Sequence, residues 1–247
     1  MSAIFRPVFL SSGHSDNPKK DRGASGNGYI EGVLAVEFRK LLYDYLVSKG
    51  LKSTMDVNSN KTSETIAYFE NLVSKDSILI DIHWNSASAT STGVETLIPE
   101  EYTKFELELA HEISKVIGTI ADLKLRGNSG GKAGVKTELD SHHGKLGWMR
   151  LNGENILIEM CFISNPNDMK KYQNNKMAIV MAVGDVILRF AKKDFSLGIS
   201  DEKTYVIKPG DTLYGIAKEL NINVSVLLTK NNINIKSIIK VGDKLKY

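Results

Sequence analysis

The 247-residue sequence has one cysteine, five prolines and two tryptophans. Each scarcity removes a class of explanation. A lone Cys161 excludes a fold stapled by internal disulfides and leaves the redox compartment open; inside an apolar run it reads as a small buried hydrophobe. Few prolines, beside 42% hydrophobic and 25% charged residues, exclude a low-complexity chain and suit one large globular domain plus a small one. No apolar run approaches the roughly 20 residues of a membrane-spanning helix. The opening MSAIFRPVFLSSGHS lacks a basic start, a sustained apolar core and a small-residue cleavage site, so it reads as no secretory signal and synthesis in the cytoplasm is expected. Net charge is only +3, yet Lys203 to Tyr247 holds eight lysines against Asp211, Glu219 and Asp243, a balance of +5 that leaves −2 for the other 202 residues. A modestly basic tail suits an anionic polymer such as cell wall or nucleic acid, or is simply a solvated lysine-rich surface.

Along the first two-thirds, short apolar runs alternate with amphipathic helical patterns, the signature of an α/β domain. Strands are expected over Pro7 to Leu10, Ser77 to Ile82, Val94 to Ile98 and Asn155 to Phe162. Helices are expected over Glu31 to Ser48, Thr62 to Val73, Thr103 to Ile120 and Asn175 to Ala191. The spacing therefore divides the chain into a domain over 1–191, a polar linker over 192–203 and a small β-α-α-β module over 204–247. In that module Pro209-Gly210-Asp211 turns the chain into one helix, and Ser225 is expected to cap a second.

One residue stands out. Ile156-Leu157-Ile158-Glu159-Met160-Cys161-Phe162 reads as buried strand, and a carboxylate there is costly unless paired, hydrogen-bonded or beside a metal. Candidate partners lie at the ends of other apolar runs: His14 after the first strand, Glu31 opening the first long helix, and Asp81-Ile82-His83-Trp84-Asn85 closing the next strand. In open α/β sheets, residues distant in sequence converge at the carboxyl ends of strands. Two histidines, one glutamate and an open position form a known catalytic zinc set, and a further carboxylate can move the proton of water. The pattern assigns His14, Glu31 and His83 to Zn2+ and Glu159 to the general base. Asp81 shares strand parity with His83 and is a candidate to orient it, with Asn85 beside it. His142 and His143 lie in a loop, where histidines are usually solvated, and His111 receives no role. Trp84 and Trp148 either line a groove or pack.

The tail resembles a LysM domain through Tyr205-Val206, Gly210-Asp211-Thr212-Leu213, Ile216-Ala217, Leu227, Asn231, and Gly242 with Leu245. The resemblance implies binding of N-acetylglucosamine-containing glycan, with Gly210, Asp211, Thr212 and Leu213 on one wall of a groove and Asn234 and Ile235 on the other. Residues from about Ile4 to Arg189 resemble the zinc-dependent N-acetylmuramoyl-L-alanine amidases of the type-3 catalytic family. The likeness rests on Gly13-His14, Glu31-Gly32, Ile82-His83 with Asn85, Gly93-Val94-Glu95, Arg126-Gly127, Met149-Arg150, and Glu159 with Phe162-Ile163-Ser164-Asn165-Pro166. It implies a twisted mixed sheet of about six strands flanked by helices, and hydrolysis of the amide joining N-acetylmuramic acid to L-alanine. Ser15, Asp16, Asp81 and Met55 depart from the family's pattern. Some members carry a blocking helix before the catalytic glutamate; no surplus helical segment is read between His83 and Glu159. The resulting expectation is a monomeric peptidoglycan hydrolase with no nucleic-acid partner and no membrane span, reaching the wall after release, as in phage-type lysis or injection machinery. A wall-binding protein without activity and a zinc peptidase cutting within the stem peptide are the competing readings.

Overall fold

The computed structural model describes residues 5–141, 144–192, 204–220, 222, 224–231, 233–235 and 237–247. The elements in the head are β1 (Val8–Ser11), β2 (Ser25–Gly26), β3 (Tyr29–Ile30), α1 (Glu31–Ser48), β4 (Ser53–Met55) and α2 (Thr62–Glu70). They continue with β5 (Ile78–Asn85), β6 (Glu95–Ile98), α3 (Lys104–Ala121), β7 (Val135–Thr137), β8 (Glu154–Phe162) and α4 (Pro166–Ala191). Six strands form one mixed sheet in the order β4-β1-β5-β8-β6-β7. β6 runs antiparallel to β8, and the other pairings are parallel.

Alternation along the strands decides which face is buried by what. Val8, Leu10, Ile78, Ile80, Ile82, Ile156 and Ile158 point to the side covered by α1, α3 and α4, where the main core lies. Phe9, Leu79, Leu97 and Leu157 point to the other side, which is covered by Phe69 of α2 and by Trp148 and Met149 of a short 3-10 turn. That second cover is smaller, and the carboxyl half of β5 with the matching ends of β8 and β6 extends past it. His83, Glu159 and Glu95 occupy one cross-strand row there, His83 opposite Glu159 and Glu159 opposite Glu95. Directly opposed residues share a face of the sheet, so the three side chains emerge on the thinly covered side.

Helix ends are fixed by local chemistry. Thr103 accepts from Glu106 N at the start of α3 while the Glu106 carboxylate accepts from Thr103 N, a reciprocal capping box. α4 starts at Pro166, not at Asn175 as the periodicity suggests. Asn165 caps it by accepting from Asn167 N and Asp168 N, and Met169 and Tyr172 are buried in a first stretch whose lysines and asparagines mask the pattern. The three-residue strands β4 and β7 are too short to leave a period of their own. Between His83 and Glu159 the described residues hold no α-helix besides α3.

The tail forms β9 (Thr204–Val206), α5 (Leu213–Glu219), α6 (Val224–Asn231) and β10 (Lys244–Lys246), with β9 and β10 antiparallel. Tyr205, Ile207, Leu213, Ile216, Leu227 and Leu245 build its core. The Asn231 side chain acts as a surrogate strand: it accepts from Lys246 N and donates to Lys246 O and Leu227 O. α6 begins at Val224, so the backbone of Ser225, expected to precede the helix, lies within it. Thr212 provides the cap of α5, accepting from Gly215 N at 3.0 Å. The linker expected over 192–203 falls, past Lys192, outside the described residues.

Asp168, fully buried, gathers Thr92 Oγ1, Gly93 N and Phe162 N, and so ties the end of β8 to the segment entering β6. Asp168→Ala leaves two buried amides and the half-buried Thr92 hydroxyl without their acceptor and is expected to destabilise the head by about 3 kcal/mol, read from the urea midpoint.

Candidate active site

Glu31 sits in the first turn of α1, where a carboxylate is favoured by the helix dipole. No side chain caps this helix; the carbonyls of Ala24 and Arg22 accept from Glu31 N and Gly32 N instead. The same loop returns the favour, because Ala24 N donates to Glu31 Oε2 at 2.7 Å, while Trp84 N donates to Oε1 at 3.0 Å. The carboxylate is thereby pinned between the loop and the end of β5. Oε1 lies 3.0 Å from His83 Nδ1 and 3.6 Å from His14 Nε2. Ligand atoms from His14, Glu31 and His83 all fall within 4.8 Å of one another.

His14 reaches this point from the loop after β1, which is anchored from beneath. Arg39 of α1, with no exposed surface, donates to Ser12 Oγ at 3.2 Å and to Asp56 and Asn58. Ser12 Oγ in turn donates to His14 O, and Thr62 Oγ1 to Gly13 O. Asp56, also buried, accepts from Thr65 Oγ1 at 2.7 Å. Burial pulls the Arg39 guanidinium down to about 10 while Asp16 pushes the other way; it remains a cation at neutral pH.

Both ring nitrogens of His83 face carboxylates, Nδ1 toward Glu31 and Nε2 toward Asp81 Oδ2 at 3.0 Å. Burial disfavours its charged form, but Asp81 and Glu31 outweigh this and raise the imidazole well above its ordinary value. A histidine between two carboxylates is either imidazolium or an imidazole whose second proton is replaced by a metal ion. For Glu31, burial raises the carboxyl, yet the hydrogen bond and charge of His83, His14 and the Ala24 amide together lower it. Glu159 goes the other way: burial first, then Glu31, Glu95 and Asp81, push it up to about 8 against the pull of His83. Its Oε2 is buried with no hydrogen-bond partner among the described residues, as is His14 Nδ1.

These residues border a cavity of about 350 Å³. Three carboxylates, Glu31, Asp81 and Glu159, line it against two histidines, an imbalance that a divalent cation relieves. Two nitrogens and one carboxylate oxygen with an open side are the donor set of a catalytic zinc site, so the residues present fit such an ion. The glycines show how closely the shell is drawn. A Cβ on Gly13 (φ +63) would collide with the His83 ring, and one on Gly23 (φ +68) with the Glu31 carboxylate, 2.6 Å from the His14 ring.

The other residues singled out by the sequence are dispersed. Asn85 donates to Glu95 Oε1 at 2.9 Å, away from the histidines. Trp84 packs against Phe38 and Tyr172, and Trp148 donates to Ile156 O; both are core side chains at the cavity's edge. His111 bridges α3 to Ala133 O. His142 and His143 lie outside the described residues. In the tail, Gly210 takes φ +87 in the turn, Asp211 Oδ2 accepts from Lys208 N and Tyr205 Oη, and Leu213 is buried in the module's core. Asn234 and Ile235 occupy the loop after α6, with Ile235 exposed. Sequence reasoning gave no role to Arg39, whose place in a helix pattern carries no sign that it lies beneath a loop.

Residues 8–189 match the N-acetylmuramoyl-L-alanine amidase family. The chain belongs to that family. Residues 205–246 match the LysM domain, so an amidase domain is followed by a LysM domain. No curated protein sequence matches the chain. Among solved structures, a protein from Neisseria meningitidis assigned as an N-acetylmuramoyl-L-alanine amidase is 25% identical, with a TM-score of 0.59 over 74% of this chain and 93% of that one. An N-acetylmuramoyl-L-alanine amidase from Clostridium difficile 630 is 22% identical (TM-score 0.59, 76% and 97% covered). An N-acetylmuramyl-L-alanine amidase from Mycobacterium smegmatis is 16% identical (TM-score 0.60, 77% and 99% covered); these last two share its fold. No described helix of the amidase is long and apolar enough to cross a membrane.

Gly23→Ala is expected to lower affinity for Zn2+ by about 10- to 100-fold, the usual effect of disturbing what orients metal ligands. Calorimetric titration of the metal-stripped protein measures it, with far-UV circular dichroism showing that the fold is kept.

Proposed function

We propose that this peptidoglycan amidase uses a zinc ion held by His14, Glu31 and His83, with Glu159 as general base, to hydrolyse the amide between N-acetylmuramic acid and L-alanine. The observation that carries the reading is the meeting of two histidine nitrogens and a carboxylate oxygen within 4.8 Å, one strand from a buried carboxylate with an unpartnered oxygen. Zinc, when bound, supplies a Lewis acid that lowers the pKa of water toward about 7 and stabilises a developing oxyanion. The chain's own groups do the rest. Ala24 N and Trp84 N hold the Glu31 carboxylate. Asp81 accepts from His83 Nε2, which fixes the tautomer and turns Nδ1 toward Glu31. Held ionised beside a cation, Glu159 Oε2 takes a proton from the attacking water and returns it to the amine of L-alanine as the bond breaks. The amidase substrate makes the bacterial wall the place of action.

The LysM domain is the glycan anchor in this reading. Gly210 to Thr212 offer a turn and a helix start, with Leu213 contributing backbone because its side chain is buried; Asn234 and the exposed Ile235 form the opposite wall. Tethering turns rebinding into an intramolecular event at roughly millimolar effective concentration, so a weak glycan site suffices.

Glu159→Gln is expected to lower kcat about 10³-fold with zinc content unchanged, while His14→Ala and His83→Ala lose the metal as well. The assay is release of free L-alanine amino termini from purified peptidoglycan. Other new termini would mark a stem-peptide peptidase, and none at all a wall-binding protein without activity. Deleting residues after Ala191 is expected to spare hydrolysis of soluble fragments and to slow action on intact wall about 10²-fold. Equal loss on both would assign the tail to folding.

A further inference from the structure

Glu95 and Arg126 take no part in the chemistry above, yet they adjoin it. Glu95 is two strands from His83 in the row that runs through Glu159, roughly 10 Å away at the usual strand spacing of about 4.8 Å. A cavity of about 150 Å³ opens beside it, lined by Glu95, Arg126, Lys136 and Ser141, and shares Asn85, Leu97 and Glu159 with the larger one. The two form one groove with Glu159 between them.

The charge balance of this second chamber is unlike the first. Glu95, 4% exposed, accepts from Arg126 Nε at 2.8 Å and forms an ion pair with Lys136 Nζ at 2.9 Å, both on Oε2, while Asn85 donates to Oε1. Two cations flank the single carboxylate of Glu95 here, and Glu159 stands at the junction with the larger chamber. Nor are the donors used up. Arg126 spends Nε on Glu95 and lies near Thr92 O through Nη1 at 3.5 Å, and an ammonium has three protons of which Glu95 takes one. The guanidinium lies over the Phe162 ring, 4.8 Å from its centroid, which holds its planar fork steady. Both side chains keep a partly exposed surface, 33% for Arg126 and 21% for Lys136.

We propose that Arg126 and Lys136 form a subsite for a substrate carboxylate, the free α-carboxylate of the γ-linked D-glutamate that follows L-alanine in the stem peptide. This rests on the amidase reading and names the feature of the stem that the enzyme selects. The carboxylate lies about 7 Å from the scissile carbonyl along an extended dipeptide, and a contact of about 3 Å to a cation completes the roughly 10 Å between the His83 and Glu95 ends of the row. Elsewhere the rim is acidic, and a substrate anion would be repelled unless cations received it. Stems in which this carboxylate is amidated lack the charge, so the subsite discriminates between walls of the two chemistries.

The test separates binding from hydrolysis. Full-length, zinc-loaded Glu159→Gln protein is titrated with N-acetylmuramoyl-L-alanyl-γ-D-glutamyl-L-lysine and with its D-isoglutaminyl counterpart, which differ only at the α-carboxylate in question. The carboxylate compound is expected to bind about tenfold more tightly. Adding Lys136→Met is expected to bring the ratio within about twofold, and Lys136→Arg to restore it. Equal Kd values for the two compounds, or a Lys136→Met change that weakens both alike, would overturn the subsite. Hydrolysis of the same compounds by the unsubstituted protein reports separately on the amidase reading.

Discussion

The Glu31 carboxylate is the joint on which the catalytic rim depends. It receives one backbone N–H from the loop before α1 and another from the end of β5, and it faces both histidines. A shift of that carboxylate would move the loop, the strand end and two prospective ligands together. Its position follows from the helix start: the first turn offers a carboxylate a favourable dipole, and the capping carbonyls come from the segment whose amide the carboxylate then accepts. The cost is electrostatic. Holding Glu31, Asp81, Glu95 and Glu159 so close is tolerable only where cations compensate, and the structure provides two kinds of compensation. At the Glu95 end these are the guanidinium and ammonium of Arg126 and Lys136. At the Glu31 end they are the histidines, which only a bound proton or metal ion makes positive.

The unequal covering of the sheet gives this rim access to a polymer. Three long helices close one face, whereas α2 and a 3-10 turn close only part of the other. The same strand thus carries Ile80 and Ile82 into the core and Asp81 and His83 into the groove. Buried position and chemical exposure are decided by parity alone. The rise of Glu159 toward about 8 follows first from its burial in the central β8 and then from Glu31, Glu95 and Asp81, against the pull of His83 opposite.

How much of this was legible in the sequence depended on the length scale of the signal. α1 was readable because Leu34, Phe38, Leu42 and Leu46 repeat on one face of an 18-residue helix. β8 was readable because six apolar residues flank Glu159. The convergence of His14, Glu31 and His83 was legible through position, each lying at the end of an apolar run. What escaped was set by partners distant in sequence: β4 and β7, three residues each, exist only because β1 and β6 offer edges to pair with. The start of α4 was hidden because Met169 and Tyr172 meet their core among polar neighbours. Lys136 had no signal at all, since its meaning lies in Glu95, 41 positions earlier, on the adjoining strand.

Arg39 and Asp56 show why such long-range pairing matters to the site. A buried ion pair is poor evidence of added stability, because desolvating both charges costs about as much as their attraction returns. Its value here is geometric. The guanidinium reaches the loop before His14 and the loop after Met55 in one fixed fork, and an apolar pair of similar volume would fill the space without specifying either loop. The cation beside Asp56 comes from α1, across the body of the fold. The histidine that closes the metal set is thereby positioned from the same helix that opens with Glu31, and α1 orients two of the three prospective ligands, one through its first residue and one through its ninth.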